Sequence, residues 1–424
     1  MGADSRRRSR RSSGISRPHI PGFARMKLAL PIRSIFRPSW MSMIAVAASF
    51  AAWELPTFGV LLKGFTQKED LDLTSSVTLF CWYSLIFTCF YLGQKLGAAF
   101  ARTKGPLLDP GLALDANGIY YAFTVISTVG IVSTLVQIFV NLSLQQALMF
   151  ISLGQANALK DTLYEQYHVG IVSLRYLILY PASIALYRII RQKRYSPINL
   201  FNVMMLGIST FLSSRLILMA TMLVTCFLLT HGKRRIRISL AKLAVFAGIV
   251  FLILAVLNIS RNQGYYERNR QSFFQAGLSE IVTYVGSPFQ VAVGAAKVSD
   301  QLAGFGGDDY RDWTDIDYNL NTNSAFALLL QQMGYWSWPY VALVCLAMGF
   351  AFAFMISLGK TVFLLPCGAI LYGSAELWRL DLFQQGAFIV WFVFGLGLPG
   401  ALLFFRRVTG VLSKSPQSLS GFSH

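Results

Sequence analysis

Acidic residues are scarce in this chain of 424 residues: 19 aspartates and glutamates stand against 37 lysines and arginines, and only 13% of residues are charged. That excludes an ordinary soluble domain, in which about a quarter of the residues carry charge. Histidine is scarcer still. His19, His168, His231 and His424 are scattered, and no His/Cys spacing resembles a metal site. The five cysteines, Cys81, Cys89, Cys226, Cys345 and Cys367, all fall in apolar runs, which suits small buried side chains better than a disulfide framework. No internal repeat of the kind that marks many secondary transporters is visible. The basic run "SRRRSRRSSGISRPHIPGFARMKLALPIRSIFRPSW" has no apolar stretch of its own, which excludes a cleavable signal peptide.

What is there is apolar: 54% of the residues are hydrophobic, in stretches near the roughly 20 residues that carry a helix across a bilayer. The expectation is an all-α, polytopic integral membrane bundle of about ten spans. They fall at 40–62, 77–98, 117–140, 169–190, 196–212, 216–232, 240–258, 338–358, 361–377 and 386–405. The chain then divides into a basic cytoplasmic tail at 1–36, a membrane domain at 37–407 with a large outward loop at 259–337, and a second cytoplasmic tail at 408–424. Met26 is an alternative start. Within the large loop, 272–297 reads as a re-entrant or interfacial helix, with a pair of further spans as the competing reading.

The net charge of +18 raises the question of nucleic acid, but its distribution points to a lipid bilayer. With the N-terminus inside, 26 of the 37 basic residues and only three acids, Asp4, Asp109 and Asp115, fall on the cytoplasmic side. The positive-inside rule therefore puts both termini in the cytoplasm of a multi-pass protein. The tail lacks interleaved aromatics, so no nucleic-acid partner is expected; contact with anionic lipid is.

Against that rule, Arg175, Arg215, Arg261 and Arg379 each stand at the outer end of a different span. An arginine at mid-bilayer costs roughly 2.5 to 3.5 kcal/mol, less near the edge, so four at one depth call for a reason beyond snorkelling. A guanidinium suits planar, bidentate recognition of phosphate. No nucleotide is supplied outside a bacterial plasma membrane, so the phosphate compound expected there is lipid-linked. Arginines could stabilise a departing lipid pyrophosphate without metal or other cofactor. An acceptor hydroxyl benefits from a base, and the candidates are Glu376 and Asp381 in "SAELWRLDLFQQ", His168 and Glu280, though Asp381 could merely pair with Arg379. The acidic run "GGDDYRDWTDID", with Asp308, Asp309, Asp312, Asp315 and Asp317, lacks the EF-hand pattern and reads as a solvated loop. The aromatics of "QQMGYWSWPYV" read as an interfacial belt, with sugar stacking as a second possibility.

Four stretches, in this order, resemble oligosaccharide repeat unit polymerases of the Wzy type, within the O-antigen polymerase and ligase superfamily: "RPSW", "LTSSVTLFCWYSLIFTCFYLGQKLG", "FLSSRLILMATMLVTCFLLTHGKRRIRIS" and "NTNSAFALLLQQMGYWSWPYVALVCLAMGF". The resemblance spans most of residues 34 to 405. It implies a glycosyltransferase fold of the GT-C kind that joins undecaprenyl-diphosphate-linked oligosaccharides on the outer face of the bacterial plasma membrane, making surface polysaccharide. Arg215 matches the arginine of the serine-arginine motif and Arg261 the arginine after the next span; Arg175 and Arg379 match by position. A flippase and a chain-length regulator are the further partners to consider. The chain departs from the pattern at Gln332, where many relatives carry an acid. Two rivals stay open: an O-antigen ligase, whose relatives tend to carry a histidine in the large outer loop where 259–337 has none, and a transporter or flippase of lipid-linked glycan. Against the transporter stands the lack of charged pairs at mid-membrane, Glu54 being the one carboxylate clearly inside a span.

Overall fold

The computed structural model describes residues 27–30, 32–54, 68–104, 117–143, 145–146, 149, 170–212, 215–231, 236–239, 248, 252, 272–303, 310–312, 314–315, 323–359 and 361–413. Almost all of their regular structure is helical. The exception is a two-stranded antiparallel ribbon of β1 (Lys27–Leu30) and β2 (Ile236–Ser239), in which Lys27 lies opposite Ser239. After the short α1 (Ile32–Ile35) come α2 (Pro38–Glu54), α3 (Leu73–Lys104) and α4 (Asn117–Asn141). A 3₁₀ segment, Ile171–Ile178, leads into α5 (Leu179–Gln192), which is followed by α6 (Pro197–Leu212) and α7 (Arg215–Thr230). Beyond β2 lie α8 (Phe273–Lys297), α9 (Ser299–Leu302), α10 (Ala325–Met333), α11 (Ser337–Ser357), α12 (Leu364–Glu376) and α13 (Gly386–Ser413).

Three helical stretches, Leu73–Thr103, Asn117–Val140 and Ala325–Ser357, are long and apolar enough to cross a membrane. Shorter apolar helices accompany them at Pro197–Thr210, Leu216–Thr230, Thr361–Glu376 and Gly386–Leu402. Large apolar side chains such as Leu73, Phe80, Val125 and Leu343 point outward rather than into the core. A helix apolar on every side needs an apolar solvent, so these are the helices of a membrane-embedded protein. Nine of the ten expected spans overlap described helices. The seventh, 240–258, lies outside the described residues apart from Gly248 and Leu252.

Residues 259–337 are not a loop throughout. α8 is one continuous helix of 25 residues, opened by a capping box between Ser272 and Gln275. The helix expected over 272–297 is therefore present, but not as one lying on the surface, because Val291, Ala292, Val293, Ala295 and Ala296 are fully buried. Its small residues let it lie against α2: Ser49 Oγ donates to the Val285 carbonyl at 2.7 Å, and Trp53 Nε1 donates to Gln290 Oε1 at 2.6 Å. The sequence does not reveal the burial of such a helix, since no polar stripe marks which face turns outward.

The tightest pair is α3 with α11, which run in the same direction: Trp82 meets Trp338 near one end and Phe100 meets Phe354 near the other. Glycines set the distance between them. A Cβ on Gly93 would stand 2.2 Å from the Leu346 carbonyl oxygen, and one on Gly97 would stand 2.2 Å from that of Phe350. Small residues four apart allow this approach in lipid, where association depends on packing rather than on release of water.

The second half of the bundle is organised by α4 and α5. Asn202 Nδ2 donates to Tyr120 Oη at 2.8 Å and to Thr124 Oγ1 at 3.0 Å, and Tyr120 Oη donates to Asn199 Oδ1 at 2.8 Å. A buried polar network of this kind fixes α4 against α6, because each group has given up water. α5 packs on α7, α7 on α12 and α12 on α13.

Candidate functional site

Arg37, Lys95, Arg102, His231 and Ser357 line one cavity at one end of the bundle. Parts of four segments that the charge argument assigns to a single side, at Arg37, Lys95 with Arg102, His231 and Ser357, therefore share one end, and Arg175, Arg215 and Arg379 belong to the other. Arg175 lies in the 3₁₀ segment before α5. It is 1% exposed, with its NH2 donating to Tyr176 Oη at 3.1 Å and its guanidinium 4.9 Å from the Tyr176 ring. Snorkelling does not describe it, because protein surrounds it.

Arg215 is the first residue of α7; its side chain lies outside the described residues, but its backbone level follows from helix register. Ser183 of α5 hydrogen-bonds the Thr221 carbonyl of α7, and Ile178 and Ile217 share one apolar cluster, so the start of α7 lies beside the segment that carries Arg175. Gly368 of α12 packs on Val224 of α7. From there Arg215 is about 14 Å back along α7 and Glu376 about 12 Å on along α12, at a rise of 1.5 Å per residue. The two helices run opposite ways, since Thr230 shares the cavity with Ser357, just ahead of α12. Arg215 and Glu376 thus stand at similar depth. Arg261, His168, Asp308, Asp309 and Asp317 lie outside the described residues, as does the Glu280 side chain.

Where α12 ends, Arg379 folds back onto Glu376 in an i,i+3 ion pair, with Nε at 2.9 Å and NH2 at 2.6 Å from Glu376 Oε2. The side chains are only 17% and 13% exposed, so water screens the pair weakly. Burial opposes the charge on Arg379, but Glu376, followed by Tyr284 and Tyr372, outweighs it and holds the guanidinium above its ordinary range. Tyr284 of α8 offers its ring to the guanidinium carbon at 4.8 Å.

The pairing with Arg379 that was open to Asp381 is not what forms. Asp381 Oδ2 accepts from Tyr340 Oη at 3.0 Å, and its Oδ1 accepts from the Phe383 N–H at 3.1 Å, capping the short 3₁₀ turn Leu382–Gln384. Burial raises its carboxyl above the usual range, against the hydrogen bonds from Tyr340, Phe383 and Gln384. Two carboxylates five residues apart thus have different surroundings, one beside a cation and one beside a phenol.

Aromatic contacts join Arg175 to this pair. Trp391 Nε1 donates to the Tyr176 carbonyl at 2.6 Å, and the Trp391 ring packs 6.3 Å from Tyr372, one turn before Glu376 on α12. These tyrosines were missed from sequence because nothing in a run of apolar residues distinguishes a tyrosine that faces a charge from one that faces lipid. Gln332, at the position where an acid was expected, is exposed. Glu54, expected inside a span, ends α2 and pairs with Lys68 at 2.8 Å. No group of three His, Cys, Asp or Glu side chains able to hold a metal occurs among the described residues.

Fold and site together define a helical, membrane-embedded chain with arginine, carboxylate and tyrosine side chains gathered at one end. No protein-family model matches it, and no curated protein or solved structure matches it either.

Proposed function

We propose that this chain is an integral membrane glycosyltransferase of about ten spans and GT-C-like architecture. On this reading it polymerises undecaprenyl-diphosphate-linked oligosaccharide repeats on the outer face of the bacterial plasma membrane, both termini being cytoplasmic. The observation that carries the reading is the shared depth of Arg175, Arg215 and Arg379, delivered by three separate segments and accompanied by two carboxylates of unlike surroundings. The lipid diphosphate supplies acceptor oxygens that match the guanidinium donors. As it engages Arg379 it takes over the hydrogen bonds now given to Glu376, freeing that carboxylate as a base.

The acceptor hydroxyl oxygen then bonds to the anomeric carbon while the bond from that carbon to the diphosphate oxygen breaks. The electron pair leaves with the lipid diphosphate, whose charge Arg175, Arg215, Arg261 and Arg379 stabilise. The hydroxyl proton passes to Glu376 or Asp381. The test uses purified full-length protein and synthetic undecaprenyl-diphosphate oligosaccharide. A ladder of products with release of undecaprenyl diphosphate is expected. Transfer of one unit to an unlike acceptor would make it a ligase, and absence of any transfer would overturn the reading.

A further inference from the structure

At the end of the bundle away from these arginines, the cavity lined by Arg37 and Lys95 has a volume of about 600 Å³. That is ample for a small ligand or for a lipid headgroup with the start of a chain. Its cations come from separate elements, Arg37 ahead of α2 and Lys95 with Arg102 on α3, and His231, which follows α7, lies beside them. Lys95 and Arg102 are two helical turns apart, which puts them on one face about 10 Å from each other. None of the described lining residues is acidic, and the described salt bridges lie elsewhere, at Glu54, Glu69 and Glu376. Like charges facing a common space repel unless an anion joins them.

The rest of the described wall is mixed: Gln94, Thr230 and Ser357 are polar, and the apolar share is largely aromatic. Phe227 and Phe352, with ring centroids 6.3 Å apart, line it together with Ile356. Alongside, Leu92, Leu96 and Phe100 of α3 turn large apolar side chains outward, so the cavity adjoins a surface suited to hydrocarbon. A soluble phosphate compound would use the cations and waste the aromatic wall. An anionic phospholipid uses both.

We infer that this cavity binds the phosphodiester headgroup of an anionic phospholipid through Arg37, Lys95 and Arg102, with an acyl chain against Phe227, Phe352 and Ile356. The inference does not depend on the glycosyltransferase reading, since it concerns the opposite end of the bundle. The test is native mass spectrometry of the full-length protein after exchange into detergent with defined phosphatidylglycerol or phosphatidylcholine. Phosphatidylglycerol should be retained at least tenfold better than phosphatidylcholine, and the double variant Arg37→Gln with Arg102→Gln should lose that preference while keeping its size-exclusion profile. Each single variant, less disturbing to the fold, should lose part of it. The comparison variant, Arg191→Gln with Arg194→Gln, removes two exposed charges outside the cavity and should retain the preference. Equal loss in that comparison variant, or no preference in the parent protein, would overturn the inference. Displacement by millimolar inorganic phosphate would overturn the lipid assignment in favour of a soluble phosphate compound.

Discussion

The two ends of the bundle both carry arginine and use it differently. Around the cavity, Arg37, Lys95 and Arg102 are exposed and face no acid among the described lining residues; at the other end Arg175 is buried and Arg379 is held by Glu376 under the ring of Tyr284. An exposed cation in water contributes about 0 to 1 kcal/mol to stability through any one partner. A buried one commits its neighbours, because removing either member of such a pair leaves the other desolvated and alone. The same residue type is thus an interchangeable positive charge at one end and a positioned group at the other.

The comparison breaks most completely if the ends are on the wrong sides. A cysteine introduced near residue 310 should react with a membrane-impermeant thiol reagent in intact spheroplasts, and one at residue 234 should not; the reverse pattern would remove the basis of the proposed function. Next in size, Arg215→Ala and Arg261→Ala should each reduce polymer by about 100-fold or more, roughly 3 kcal/mol of transition-state stabilisation. Lysine should restore little of it, because a point charge lacks the planar fork. Arg191→Ala, at the other end, should change turnover less than about twofold. Full activity in Arg215→Lys would show that bidentate recognition is not what that position supplies.

An effect of similar size, read in stability rather than in rate, separates the two carboxylates. Arg379→Gln should lower stability by about 3 kcal/mol, since it strands Glu376, whereas the double variant Arg379→Gln with Glu376→Gln should recover most of the loss, as thermal unfolding in detergent would record. Asp381 gives a pH signature instead. Its folded pKa lies above the ordinary carboxylate value, so in the window between the two the native state holds the proton more tightly than the unfolded state. Stability should therefore decline as pH rises through that window, and Asp381→Asn, which keeps the cap on the Phe383 N–H, should flatten the decline. If Asp381 also acts as base, the same substitution removes the acidic limb of the rate profile. The smallest effect belongs to the acidic run: Asp308→Asn with Asp309→Asn should cost less than about 1 kcal/mol, under roughly fivefold in rate, and activity should survive EDTA. Loss on chelation, with recovery on adding one divalent ion, would move the chemistry from the arginines to that run.

Much of the helix layout was legible because apolar runs of fixed length leave few alternatives in lipid, where every backbone polar group must find its partner within its own helix. α3 and α4 declared themselves in this way. α8 was legible as a helix over 272–297 but not as a buried one: its alanines, glycines and serines read as a weakly apolar stretch, and only the facing α2 makes it an interior helix. Arg379 was identifiable as a cation at a span end, but which of the two nearby carboxylates it meets was not. Sequence distance treats Glu376 and Asp381 as equals, while the turn after α12 swings the guanidinium back over its own helix. Tyr284 and Tyr176 were invisible as site residues, since each comes from a different segment, and Tyr340 was read only as part of an aromatic belt or a sugar-stacking surface, not as the partner of Asp381.

By itself the sequence determined the apolar solvent of this protein and its helical class, because hydropathy is a sum over local residues that no folding rearranges. Which arginines are exposed and which are buried, which carboxylate meets a cation and which a tyrosine, and where three cations enclose a cavity were decided only by the tertiary structure. These depend on the rotation and register of one helix against another, set by close contacts such as Gly93 on Leu346 and Gly368 on Val224.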